Sequence, residues 1–251
     1  MSVVQYAIAD GVGHITLNRP ERMNAVTTEL ARQLERVLNE LAADPAVNVI
    51  VIRGAGENFC AGGDVTEVER LRSAGPEALR ALFDAFRRAC DVIPTVDVPV
   101  VAAVEGVAMA GGFELMQAAD IVIVSDDAKI ADSHIKFGMI PGGGSTQRLP
   151  GLVGRQIALG LLLSGDCLSG LDAVRLGLAY RSFASQDFEA GVHDFLTTLA
   201  GRDRTAMATI KKLVGGAHEQ PLAHGLDDEI TAVVSHITDH GVDEFRRVGA
   251  S

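Results

Sequence analysis

Two glycine-rich stretches carry the residues best suited to chemistry. They are Phe59-Cys60-Ala61-Gly62-Gly63-Asp64 and Ala108-Met109-Ala110-Gly111-Gly112-Phe113-Glu114-Leu115. Each falls where an apolar run of strand type gives way to a helical pattern, so main-chain N–H groups lie bare of side chains. Two such groups from separate loops can hold one oxygen atom as an anion. Glu114 follows the second glycine pair by two residues. A carboxyl group beside donors for an oxyanion suits chemistry alpha or beta to a carbonyl. Alone, Glu114 would be unremarkable, because the helix dipole favours a carboxylate in a first turn. The glycines beside it turn the reading toward catalysis.

The elements that must place these loops can be read from periodicity. Tyr6 to Asn18 reads as a hairpin turning at Asp10-Gly11-Val12-Gly13, and residues 19–24 as a loop. From Thr27 the spacing of Leu30, Leu34, Val37, Leu38 and Leu41 predicts a helix, which Asp44-Pro45 stops. Val47–Ile52 and Pro99–Val104 read as buried strands, each leading into one glycine stretch. Between them a helical segment starts near Thr66, breaks at Gly75-Pro76 and restarts with Leu79, Leu82, Phe83 and Phe86. A short helix is expected over Gly112–Ala118, then strands over Asp120–Val124 and Ala128–Ala131. Pro141-Gly142-Gly143-Gly144-Ser145 reads as a sharp turn into further helix. It fits neither dinucleotide nor P-loop spacing. Beyond Gly154 the pattern is helical almost throughout, with Ser169 and Asp172 resembling a capping box and Gly177 placed to end that helix. Strands alternating with helices argue for an α/β fold. We divide the chain into a core, residues 1–195, and a C-terminal helical region, residues 196–251.

The bulk numbers narrow the function. The 251 residues are 47% hydrophobic, which permits a sizeable core, and only 4% aromatic, so that core is aliphatic. A net charge of -11 argues against nucleic acid or an acidic membrane as partner. Cys60, Cys90 and Cys167 are too few and too scattered for a disulfide framework or a zinc site, which fits a cytoplasmic setting, and no metal is expected. Neither a signal peptide nor a membrane span is expected. Cys60 reads as a small buried residue. Lys211-Lys212 reads as a solvated helix face.

Taken together, Asn18-Arg19-Pro20 with Asn24-Ala25, then FCAGGD, PVVAAVEGVAMAGGFEL and IPGGGSTQRLPGLVG resemble the enoyl-CoA hydratase/isomerase (crotonase) family in order and spacing, from about Tyr6 to Phe245. The resemblance implies a crotonase-like ββα spiral core whose C-terminal helices form homotrimers, often paired as hexamers. It implies an acyl-CoA substrate and no permanently bound cofactor, coenzyme A arriving as part of the thioester. The hole for the thioester oxygen falls on the N–H groups of Gly63 and Gly111, with Gly62 and Gly112 beside them. Gly63 stands where the family commonly has Ala. Ala61 and Val65 match positions that touch the adenine end, and Arg22 lies where a basic residue can approach the phosphates. The acyl pocket would be lined by the segment from Leu71 to Phe86 and by the C-terminal helices.

One position departs from the hydratase pattern. Family hydratases place two glutamates around one water; one matches Glu114, and the other position holds His134. A neutral imidazole can accept a proton and an imidazolium can donate one near pH 7, so hydration remains open. A His here is also similar to a family branch that cleaves C–C bonds in β-diketones. That branch carries an Asp in the turn after Pro-Gly, which this chain lacks. Asp132 could orient His134, or cap a turn; strand alternation would put both on one side. Hydration or isomerisation of an enoyl-CoA is the leading expectation. The alternatives are C–C hydrolysis of a β-dicarbonyl substrate and a non-catalytic acyl-CoA-binding protein.

Overall fold

The computed structural model describes residues 2–217 and 220–240, so the stretch toward Phe245 lies outside the described residues. In chain order, β1 (Val4–Ala9) and β2 (Val12–Leu17) form the hairpin, and α1 (Thr28–Ala43) follows. Next come β3 (Val49–Gly54), α2 (Val65–Ala74), α3 (Pro76–Val92), β4 (Val100–Val104), β5 (Val107–Met109) and α4 (Gly111–Ala118). Then follow β6 (Ile121–Ser125), β7 (Lys129–Ala131), α5 (Ser145–Val153), α6 (Arg155–Ser164), α7 (Gly170–Arg175) and β8 (Arg181–Phe183). Three helices close the described chain: α8 (Phe188–Ala200), α9 (Arg204–Gly216) and α10 (Leu222–His240).

The large sheet runs β1-β2-β3-β4-β6-β8, antiparallel only at the hairpin. β3 and β4 are nearly unbroken Val, Ile and Ala because both of their faces are buried. Leu30, Leu34 and Leu38 of α1 join Ile15, Ile50 and Ile52 in the main core. Phe188, Val192 and Leu196 of α8 cover the opposite face at Val49, Val51 and Val101. A second sheet pairs β5 with β7, and single bridges extend it from Cys60 to Ala108 and from Ile130 to Leu168. Successive passes therefore give a strand to the large sheet, a short segment to the small one, and then a helix or turn. This is a ββα spiral.

Several local expectations hold for the stated reasons. The Thr27 side chain caps α1, and Asp44 ends it. Both bonds of a capping box are present at Ser169 and Asp172, the shorter acid reaching the cap N–H. Others need correction. β5 and β8 were not foreseen: β5 runs into the second glycine stretch, and β8, Arg181-Ser182-Phe183, is short and polar within an otherwise helical pattern. The 19–24 loop contains a 3₁₀ turn, Pro20–Arg22. Lys211 is not solvated: its ammonium lies 2.7 Å from Asp120 and donates to the carbonyls of Ile93 and Val98.

Candidate active site

The two glycine stretches meet face to face. Cys60 N–H donates to the Val107 carbonyl and Met109 N–H to the Cys60 carbonyl, which zips the first loop to β5. Beyond that zip the backbones nearly touch. A side chain on Gly62, at φ +104, would sit 2.7 Å from the Ala110 Cβ. A methyl carbon placed on Gly111 would lie 3.6 Å from the Gly63 nitrogen. Glycine is required at 62 by both its φ and its neighbour.

The direction of the two amides follows from the planarity of the peptide. The Gly62 carbonyl accepts from Val26 N–H, so the N–H of the same trans unit, that of Gly63, points the opposite way. The Ala110 carbonyl accepts from Glu114 N–H in the first turn of α4, so the Gly111 N–H points back out of the helix start. Neither amide is spent on an acceptor among the described residues.

The first loop is braced from behind. Arg19 donates to the Asp64 carboxylate at 2.7 Å and to the Ala25 carbonyl. Asp64 in turn caps α2. Buried Asn24 accepts from Arg19 N–H and donates to the carbonyls of Ala55 and Asn58. Ala61 N–H donates to Met23, next to exposed Arg22, and Val65, 80% exposed, starts α2 on the same rim.

Every residue of α4 is buried, and Glu114 is its single charge. Its Oε1 accepts from Gly143 N–H at 2.6 Å and Ser145 N–H at 3.2 Å, where α5 begins. The carboxylate thus faces the positive end of α5. Burial pushes the Glu114 carboxyl above its ordinary value, and the two backbone bonds and His134 only partly oppose this. Arg148 supports the turn through the Gly143 carbonyl and Asp91. Phe83 and Phe86 of α3 crowd Gly142 and Gly143, so part of the Leu71–Phe86 segment does reach this turn.

His134 Nε2 stands 3.9 Å from Glu114 Oε2, and His134 Nδ1 lies 2.7 Å from Asp132 Oδ1. Strand alternation does not make the second contact: β7 ends at Ala131, and His134 starts a 3₁₀ turn, His134–Phe137. Burial pulls the imidazole pKa down, but the Asp132 bond and the charges of Asp132 and Glu114 outweigh it, and the net direction is up. Two side chains that can exchange a proton therefore stand together, and Glu114 lies one turn along α4 from the free amide of Gly111.

Gly143, Ser145, Arg148, Arg19, Asn24 and Asp64 were missed as working parts. The signal at Gly143 and Ser145 was available, since bare N–H groups at a helix start attract an anion. Arg19 reaches Asp64, and Asn24 reaches Ala55 and Asn58, far along the chain, which hides these bonds from local reading. Cys60 and Cys90 are buried thiols whose pKa values burial pushes up to about 12, in keeping with a packing role. A cavity of about 620 Å³ lies past the other end of α4, against Asp120, Leu152, Tyr180 and Phe195, and none of the site residues lines it. Among the described residues no cluster of potential metal ligands is found, and no helix is long and apolar enough to cross a membrane.

A sequence profile of the enoyl-CoA hydratase/isomerase family matches residues 7–246. The chain belongs to the enoyl-CoA hydratase/isomerase family. It is 35% identical over 216 residues to a probable enoyl-CoA hydratase of Mycobacterium leprae, covering 86% of this chain and 82% of that one. An enoyl-CoA hydratase structure from Bacillus anthracis superposes with a TM-score of 0.91 at 28% identity, covering 99% and 95% of the two chains. A putative enoyl-CoA hydratase from Thermobifida fusca, solved in complex with CoA, gives 0.85 at 28% identity over 95% and 94%. The crotonase fold expected from the sequence is thereby borne out, and so is family membership. These relatives bear hydratase names and lend no support to the C–C hydrolase or non-catalytic alternatives.

Proposed function

We propose that this protein adds water across the conjugated double bond of an enoyl-CoA, or shifts that bond. The observation that carries the reading is the pairing of buried Glu114 with His134, one turn along α4 from the unspent amide of Gly111 and its neighbour at Gly63. In this scheme the two amides hold the thioester oxygen while it gains charge. The hydroxyl of water joins the β-carbon as one of the two side chains takes its proton. The other side chain delivers a proton to the α-carbon of the enolate. Isomerisation needs the same enolate and a proton moved between carbons.

Arg22, Ala61, Gly62, Val65 and Gly112 form the proposed rim for coenzyme A, with Arg22 facing its phosphates. The neighbour solved with CoA supports a CoA ester as the ligand. We assign no permanent cofactor or metal. The unpaired thiols Cys60, Cys90 and Cys167 suit a reducing compartment such as the cytoplasm. We further propose that residues 196–251 assemble the chain into a trimer or a dimer of trimers, because Leu222, Leu226, Ile230 and Ile237 of α10 are exposed.

The deciding experiment follows crotonyl-CoA by loss of enoyl absorbance and by the mass gain of one water. Turnover that collapses in Glu114→Gln is the expected result. Silence across a panel of enoyl-CoAs, with cleavage of a 3-oxoacyl-CoA or diketone instead, would overturn it.

A further inference from the structure

Asp132 carries a buried carboxylate of which one half is unsatisfied. It is 1% exposed, and only its Oδ1 is bonded, to the ring and the N–H of His134. Its Oδ2 is buried with no hydrogen-bond partner. An isolated buried carboxylate is costly, and a cation beside it offsets that cost. His134 is the group in contact that can become one.

The imidazole is flanked on both sides. Asp132 stands at Nδ1, and Glu114 stands at Nε2 from α4. α6 packs against the turn that carries His134 and brings one ionisable side chain, Arg155, at its exposed start. α5 brings Arg148, which is engaged by Gly143 and Asp91. α3 brings the buried Cys90 thiol, which stays protonated. Lys136 shares the turn and runs past Gly165. Glu114 already receives two backbone N–H groups on Oε1, which favours its carboxylate form.

We propose that Asp132 is a positioning residue that keeps His134 as an imidazolium with Nε2–H aimed at the substrate, so that His134 is the acid and Glu114 the base. This rests on the hydration reading above. Glu114 takes a proton from water as the oxygen bonds to the β-carbon and the double-bond electrons move into the enolate. His134 gives its Nε2 proton to the α-carbon. The proton on Glu114 then passes to Nε2 and restores the starting state, so one water is consumed and nothing else changes.

The sign of the pH effect follows. Glu114 must be ionised, so the rate rises as pH climbs through its raised pKa. His134 must be charged, so the rate falls as pH climbs through its own raised pKa. Asp132→Asn keeps an acceptor for Nδ1–H and removes the charge. The alkaline limb of kcat should move to lower pH, with a loss of about ten- to a hundredfold at neutral pH and little change in KM. Asp132→Glu should restore part of the limb. Imidazole NMR titration, with the His134 signal assigned by its loss in His134→Gln, reads the same shift without turnover. A kcat lowered equally at every pH, or a wild-type His134 titrating below 6.5, the ordinary imidazole value, would overturn the proposal. If no enoyl-CoA is hydrated, the parent reading fails while the NMR titration still decides the Asp132–His134 pairing.

Discussion

The region around Glu114 and the C-terminal helices are held in opposite ways. At the site, the groups that matter are fixed by main-chain bonds from distant segments: Glu114 by Gly143 and Ser145, Asn24 by Ala55 and Asn58, Cys60 by Val107 and Met109. α9 buries no residue fully. It is tied down by two cations seated on carbonyls, Arg204 on Ala42, Asp44 and Val47, and Lys211 on Ile93 and Val98. Its Ile210 and Val214, like the apolar residues of α10, face outward. A frame of backbone bonds tolerates little movement, which suits two amides that must address one atom. Cations on carbonyls fasten a helix at points and leave its apolar surface for something else to cover.

The comparison breaks first if chemistry and stability cannot be separated at the site. Glu114→Gln keeps the shape and an acceptor for Gly143 N–H, so the midpoint of thermal unfolding should hardly move. Turnover of crotonyl-CoA should fall by roughly a hundred- to ten-thousand-fold. A large loss of stability with modest loss of rate would place Glu114 in the frame instead.

The reverse is expected at the other end. Lys211→Met removes the cation of a half-buried pair and leaves Asp120 with only the Val100 N–H as donor. Such losses cost about 3–5 kcal/mol for a fully buried pair, and the exposure of Asp120, with the bond it keeps from Val100 N–H, points to about 1–2. Urea unfolding measures it, while kcat of the folded fraction should stay within about twofold. Replacing Asp120 as well, by Leu, should return part of the stability.

Two adjacent glycines sharpen the contrast within the site. A Cβ on Gly112 would meet the Cys60 carbonyl oxygen at 2.0 Å, a main-chain atom that cannot turn aside. Gly112→Ala should therefore destabilise by about 1–3 kcal/mol or more, as overpacking does. A Cβ on Gly111 meets only ordinary contacts, the nearest at 3.5 Å. Gly111→Ala should fold with a change under about 1 kcal/mol. It should lose rate about ten- to a hundredfold, because the methyl group stands beside the Gly63 amide. Equal behaviour of the two variants would mean that the loops are not in the arrangement described.

These pairs also mark what can be read from a sequence. The two loops were legible because glycine, strand and helix signals coincide there. Glu114 was legible because it follows those glycines at a fixed distance. The site residues His134 and Asp132 could be named, yet the reason for their contact was misread, since a 3₁₀ turn after a three-residue strand has no periodic signature. What holds Glu114, and what Lys211 does, depended on segments about 30 to 120 residues away in the chain. No local pattern encodes a bond of that span, and a lysine pair on a helix looks the same whether it is solvated or seated on two carbonyls and a half-buried carboxylate.

The smallest effect tests the outer half of the comparison. Ile230 is 61% exposed on α10, on the face it shares with Leu226 and Ile237. An exposed apolar residue contributes little to the fold of its own chain, so Ile230→Ser should change monomer stability by within about 0.5 kcal/mol. If α10 instead meets another copy, burying that side chain contributes about 1.5–3 kcal/mol per contact, and three-fold symmetry repeats the loss at each interface. Light scattering should then show the assembly dissociating at concentrations where the native protein stays whole, with the rate per folded site little changed. An unchanged mass over the same dilution would mean that the apolar face of α10 is not what joins the subunits, and that whatever assembly exists is built on another surface.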